Sequence, residues 1–117
     1  MKTILLTVTM LFIGTLSYGQ NKNANASIEV DGVCMMCKKR IEKASLKTKG
    51  VKSASWNVDT HELKLIFDEN KTSVEQIESN VTAVGHDTKS FVASKEAYES
   101  LHPCCKYREE GVVEDHK

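Results

Sequence analysis

Asp31-Gly32-Val33-Cys34-Met35-Met36-Cys37-Lys38-Lys39-Arg40-Ile41-Glu42 places a CxxC pair between an alternating apolar run and a run with helical periodicity. With the second cysteine on the first turn of a helix, both thiols reach one ion without movement of the backbone. The partial positive charge and free N–H groups of a helix N-terminus favour thiolates, and Lys38, Lys39 and Arg40 add to that effect. A thiolate is both a soft-metal ligand and the nucleophile of disulfide exchange, so this stretch alone leaves both chemistries open.

Working outward, Ile28 and Val30 alternate with Ser27 and Glu29 as a half-buried strand does, and Asp31-Gly32 breaks the pattern. Beyond the CxxC, Cys37, Ile41, Ala44 and Thr48 recur at helical spacing, with Lys38, Lys39, Lys43 and Lys47 largely on the other face, and Gly50 suits a left-handed cap. Ala54, Trp56 and Val58 share one strand face. Asp59-Thr60-His61-Glu62 is turn-like, and Leu63, Leu65 and Phe67 alternate with Lys64 and Ile66, which predicts an antiparallel hairpin. Ser73 is a good N-cap for a second helix carrying Val74, Ile77, Val81 and Val84, which Gly85 stops. His86 to Ala93, with Phe91 and Ala93 on one face, reads as a last strand.

Strand, helix, strand, strand, helix, strand is the α+β, ferredoxin-like βαββαβ order, one antiparallel sheet covered by two helices, over residues 27–93. Residues 94–117 read as a C-terminal Cys-containing extension: a short helix over Lys95 to Leu101, then His102-Pro103-Cys104-Cys105 and a charged end. Residues 20–26 are polar, Asn-rich and aperiodic, and are expected to be a disordered lead.

Residues 1–19 have the three-part layout of a secretory signal peptide: Lys2, an apolar run from Ile4 to Ile13, and a small and polar end. The apolar run falls short of the roughly 20 residues that span a bilayer, so a secreted or periplasmic protein with no stable membrane anchor after cleavage is expected. Lys+Arg and Asp+Glu are each 16, and the leader takes only Lys2 with it. That balance gives no support to nucleic-acid binding. All four cysteines lie after the leader. Neither the CxxC nor the adjacent pair Cys104-Cys105 closes a loop long enough to staple a domain, and adjacent cysteines bridge only with strain.

A CxxC between the first strand and first helix of a βαββαβ order resembles the heavy-metal-associated (HMA) domain family of copper chaperones, copper-ATPase N-terminal modules and periplasmic mercury-binding proteins. The resemblance covers about Ser27 to Ala93. It implies that Cys34 and Cys37 bind Cu(I), or Hg(II) or Zn(II), and pass the ion by ligand exchange to a metal-transporting protein docking at the CxxC loop. The family usually reads Gly-Met-Thr before the first cysteine; here Gly32-Val33 is one residue shorter, and Val33 is the apolar residue available beneath the loop. Gly85-His86 falls where the family places a residue pair beside the metal, which makes His86 an auxiliary ligand or a group that tunes the thiolates.

His102, Cys104 and Cys105 have the composition of a second or completing soft-metal set: if the tail folds back, a three- or four-thiolate cluster forms, and otherwise a separate thiol pair or disulfide. Met35 and Met36 are expected to act as flexible apolar cover over the site. His61 and His116 are expected in solvent, and Trp56 in the core or on a sheet face. No Ser/His/Asp set or phosphate-cradling loop is visible, so a binding protein is expected rather than an enzyme; the enzyme alternative is a thiol–disulfide oxidoreductase using the CxxC.

Overall fold

The structure, a computed structural model, describes residues 21–115; the expected signal peptide and His116 lie outside them. Period-two alternation produces three strands, β1 (Ala24–Glu29), β2 (Val51–Trp56) and β3 (Glu62–Phe67), in an antiparallel sheet of order β1-β3-β2. Ala24 pairs with Phe67 and Ile28 with Leu63 across β1 and β3. Leu63, Leu65 and Phe67 are therefore buried on one face while Lys64 points away. A register shift between Val51 and Ser53 turns both Val51 and Ala54 to the core.

β1 begins at Ala24, three residues before the domain was expected to start at Ser27. Ala24 is buried opposite Phe67, and Asn21 and Glu69 exchange hydrogen bonds, the Asn21 N–H to the Glu69 carboxylate and the Glu69 N–H to the Asn21 carbonyl. The polar composition of the lead hid this pairing because only Ala24, Ala26 and Ile28 of the strand face the core.

Helix α1 (Met35–Lys47) buries Cys37, Ile41, Ala44 and Ser45, one stripe at helical spacing, against the sheet. Helix α2 (Val74–Ala83) buries Ile77 and Val81 beside it, with the Ser73 hydroxyl accepting the Gln76 N–H at 3.2 Å as its N-cap. Full burial of side chains of this size contributes about 1.5–3 kcal/mol each, which is why the two stripes decide where the helices lie. Gly85 takes φ +106°, left-handed, and turns the chain out of α2.

The last strand shrinks to one bridge. Val30 and Thr88 pair antiparallel, flanked by the Asp31 N–H to the Asp87 carbonyl at 2.9 Å and the Lys89 N–H to the Glu29 carbonyl at 3.2 Å. This puts the segment beside β1, at the sheet edge the βαββαβ order requires. It stops there because Thr88 closes a turn on Phe91: its N–H reaches the Phe91 carbonyl at 2.9 Å and its hydroxyl accepts the Phe91 N–H at 3.2 Å. Phe91 is consequently exposed, and Ala93 is buried.

The extension folds back onto the domain. Ser94 caps a short helix α3 (Lys95–Glu99), Pro103–Cys105 forms a 3₁₀ turn, and α4 (Glu110–Asp115) ends the described chain, where only a charged end was expected. Tyr98, Leu101 and Cys105 join the main core. No helix among the described residues is long and apolar enough to cross a membrane.

Candidate metal centre

The CxxC loop is fixed from below. Trp56 is buried, and its Nε1–H donates to the Val30 carbonyl at 3.0 Å. A Cβ on Gly32 would come within 3.0 Å of the Trp56 ring and 3.1 Å of Cys37 Cβ, so a residue without a side chain lets the loop lie flat on the indole. Val33 is buried beneath the loop, as the shortened Gly32-Val33 turn led one to expect. The next carbonyl, of Asp31, accepts the Nδ1–H of His86 at 2.8 Å. His61, expected in solvent, is half-buried, with its ring stacked on Trp56 at 5.6 Å.

Cys34 is the N-cap residue of α1 and Cys37 lies on its first turn, buried in the core. Their sulfurs are 3.3 Å apart. The tail brings Cys105 Sγ to 3.1 Å from Cys34 Sγ across 71 residues of sequence. Cys104 Sγ is 3.9 Å from Cys105 Sγ and 3.5 Å from the thioether sulfur of Met36. Among the described residues, the group of metal-binding atoms lying within 4.8 Å of one another is the sulfurs of Cys34, Cys104 and Cys105. All four cysteines are free thiols.

The tail is held down on the far side of His86. The Tyr107 ring stacks on His86 at 5.5 Å; its hydroxyl donates to the Gly85 carbonyl at 2.7 Å and accepts the Asp87 N–H at 2.9 Å. Arg108 grips both carboxylate oxygens of Asp87, at 2.8 and 3.2 Å, and donates to the Ala93 carbonyl. Tyr98 sits edge-on to Tyr107 and beneath the Arg108 guanidinium, and its hydroxyl accepts the Arg108 N–H.

The three inner thiols are not equivalent. Burial alone would raise the Cys34 thiol, but hydrogen bonding from Cys105 and Cys37, with the N–H groups of Cys37 and Met36 at the helix start, outweighs it and lowers its pKa below the ordinary value. Burial raises Cys37. Burial, then the hydrogen bonds to Cys34 and Cys37, raise Cys105 strongly. Cys34 is thus the first thiolate of the set, with Cys37 and Cys105 as its proton-bearing partners.

The structure gathers Cys34, Cys37, Cys104 and Cys105, and adds Met36, expected first of all as apolar cover. It does not gather the two histidines with them. His102 is exposed; its backbone carbonyl accepts the Cys105 N–H at 2.8 Å and so shapes the 3₁₀ turn. His86 is fully buried. Its pKa is pulled down to about 4 by burial, against the hydrogen bond to the Asp31 carbonyl, which keeps the ring neutral with the proton on Nδ1. Its Nε2 has no hydrogen-bond partner. His86 therefore braces the loop on one side and the tail on the other. Trp56, His86, Tyr107 and Arg108 carry the positioning, and no spacing in the sequence marks them for it.

Residues 27–87 match the family model for the heavy-metal-associated domain, and the match ends before the tail cysteines. The copper chaperone CopZ of Staphylococcus haemolyticus (strain JCSC1435) is 36% identical over 66 residues, which is 56% of this chain and 97% of that protein. Among solved structures, a CopZ metallochaperone superposes with a TM-score of 0.54 at 27% identity, covering 56% of this chain and 98% of the other. Oxidized MerP from Ralstonia metallidurans CH34 superposes with a TM-score of 0.55 at 25% identity, covering 57% of this chain and 94% of the other. With the CxxC at the start of α1 and the family's helix-covered sheet behind it, the chain belongs to the heavy-metal-associated domain family.

Proposed function

We propose that this protein binds Cu(I) through Cys34 and Cys37, with the tail cysteines Cys105 and Cys104 completing a thiolate cluster. The observation that carries the reading is the 3.1 Å approach of Cys105 Sγ to Cys34 Sγ. Thiolates are soft donors and suit Cu(I); Hg(II) and Zn(II) are the competing ions for such a set. His86 and His102 act as supports of the loop and turn rather than as ligands.

The tail distinguishes holding from handing over. A CxxC alone leaves an ion open to a partner's thiolate, whereas a third and fourth thiolate from the same chain close that opening. We therefore read the protein as a sequestering carrier, which releases its ion to a metal-transporting protein once the tail lifts from the CxxC loop. The relatives named as copper chaperones support the copper reading, and the leader-like composition of residues 1–19 supports a periplasmic or secreted setting for it. No turnover is required of it, so the oxidoreductase alternative predicts a different behaviour: catalysed disulfide exchange without metal.

The test is Cu(I) binding by chelator competition on the reduced chain and on Cys34→Ser/Cys37→Ser and Cys104→Ser/Cys105→Ser variants. Loss of binding in the first and weakened binding in the second are expected. Full affinity in the CxxC variant would overturn the central claim, and unchanged affinity in the tail variant would reduce the tail to a scaffold.

A further inference from the structure

The sulfurs form two triangles that share an edge. The inner one is Cys34, Cys37 and Cys105: the Cys34 sulfur is 3.3 and 3.1 Å from the other two. The outer one is Cys34, Cys104 and Cys105, all within 4.8 Å, with the Met36 thioether 3.5 Å from Cys104. Cys37 and Cys105 are buried, Cys34 and Cys104 are half-buried, and Met36 is 43% exposed, so the array runs from the core to the surface.

We propose that the centre takes two Cu(I) ions: an inner ion among Cys34, Cys37 and Cys105, and an outer ion held by Cys104 and the thioether of Met36 and bridged to the first by the shared thiolates of Cys34 and Cys105.

A single tetrahedral ion at a metal–sulfur distance of about 2.3 Å wants its four sulfurs near the corners of one regular figure. The array here has five donors in a staggered row, with steps of 3.3, 3.1, 3.9 and 3.5 Å from Cys37 to Met36. Cu(I) accepts soft thiolate and thioether donors together, so the row divides into two low-coordinate sites more naturally than it closes around one ion. Charge favours the same count. Four ionised thiolates around one monovalent cation would leave three uncompensated negative charges partly out of water, and a second cation removes one of them. Met36 adds a donor without adding charge. It also lines a groove together with the cations Lys39, Arg40, Lys43 and Lys47.

The proposal rests on the copper reading above, and the test separates the two. The reduced full chain is titrated with Cu(I) against a competing chelator, with copper X-ray absorption on the loaded protein and sedimentation to establish its oligomeric state. Two ions on a monomer, with copper–copper scattering, are expected. In Cys104→Ser the count falls to one, and in Met36→Leu the second ion weakens by about tenfold or more while the first is unchanged. One ion without copper–copper scattering overturns the two-ion centre and leaves the copper reading standing. Two ions found only in a dimer, or a second ion indifferent to both substitutions, also overturn it. No ion at all overturns both.

Discussion

Removing one oxygen, in Tyr107→Phe, should unfasten the tail without unfolding the domain. The hydroxyl makes two hydrogen bonds, at 2.7 Å to the Gly85 carbonyl and 2.9 Å from the Asp87 N–H, at a half-buried position. A net 0.5–1.5 kcal/mol for each puts the loss at about 1–3 kcal/mol, while the ring and its stack on His86 stay. If that loss falls on the tail's closing equilibrium, the open population rises about fivefold to a hundredfold. Cys105 reports it directly, because its side chain is 0% exposed and reacts only when the tail lifts. The assay is the rate of alkylation of Cys105 in the reduced native chain, read by peptide mass spectrometry, with far-UV circular dichroism as the control for folding. A rise of about fivefold or more is expected. A folded Tyr107→Phe protein whose Cys105 reacts at the wild-type rate would refute the claim that this hydroxyl holds the tail.

The remaining expectations concern acid stability, thiol ionisation and backbone strain. His86 has its pKa lowered to about 4 by burial, so the unfolded chain binds the extra proton first as pH falls. Its stabilising contribution is complete above the ordinary histidine value of about 6.5 and is lost between there and pH 4, about 3 kcal/mol in all; denaturant midpoints across that range should fall in the wild type and fall less in His86→Leu. Cys105→Ala removes the strongest of the hydrogen bonds that lower the Cys34 pKa, so the pH midpoint of Cys34 alkylation should rise; a fall would reverse the assigned donor and acceptor. Gly85→Ala puts a side chain at φ +106° with its Cβ 2.7 Å from the Ala97 carbonyl. It should cost about 1–3 kcal/mol by thermal or denaturant unfolding, and also speed Cys105 alkylation because Ala97 and Leu101 are the atoms displaced.

Local pattern carried most of the fold. The stripe Cys37, Ile41, Ala44 and Thr48 and the alternation at Leu63, Leu65 and Phe67 need only neighbours in sequence to be seen, and each lies where its period puts it. The Ser73 cap and the turn at Gly85 are equally local. The last strand is shorter than its alternation predicts because the side chain and N–H of Thr88 close on Phe91, a competition between turn and ladder that composition does not reveal. β1 starts earlier than its composition predicts for the converse reason: Asn and Ala have weak strand preference, and pairing with β3 overrides it.

By itself the sequence determined that two thiols sit at the start of a helix in a βαββαβ chain, because a CxxC and hydrophobic periods of two and 3.6 residues are properties of neighbouring positions. Only the tertiary structure decided which other groups meet those thiols. Cys105 lies 71 residues from Cys34 yet 3.1 Å from its sulfur, because Tyr107 and Arg108 dock on Gly85, His86 and Asp87. The same docking leaves His86 bracing the loop instead of joining the sulfurs. Contacts of that kind are made by burial and hydrogen bonding between segments that share no period, so no local reading contains them.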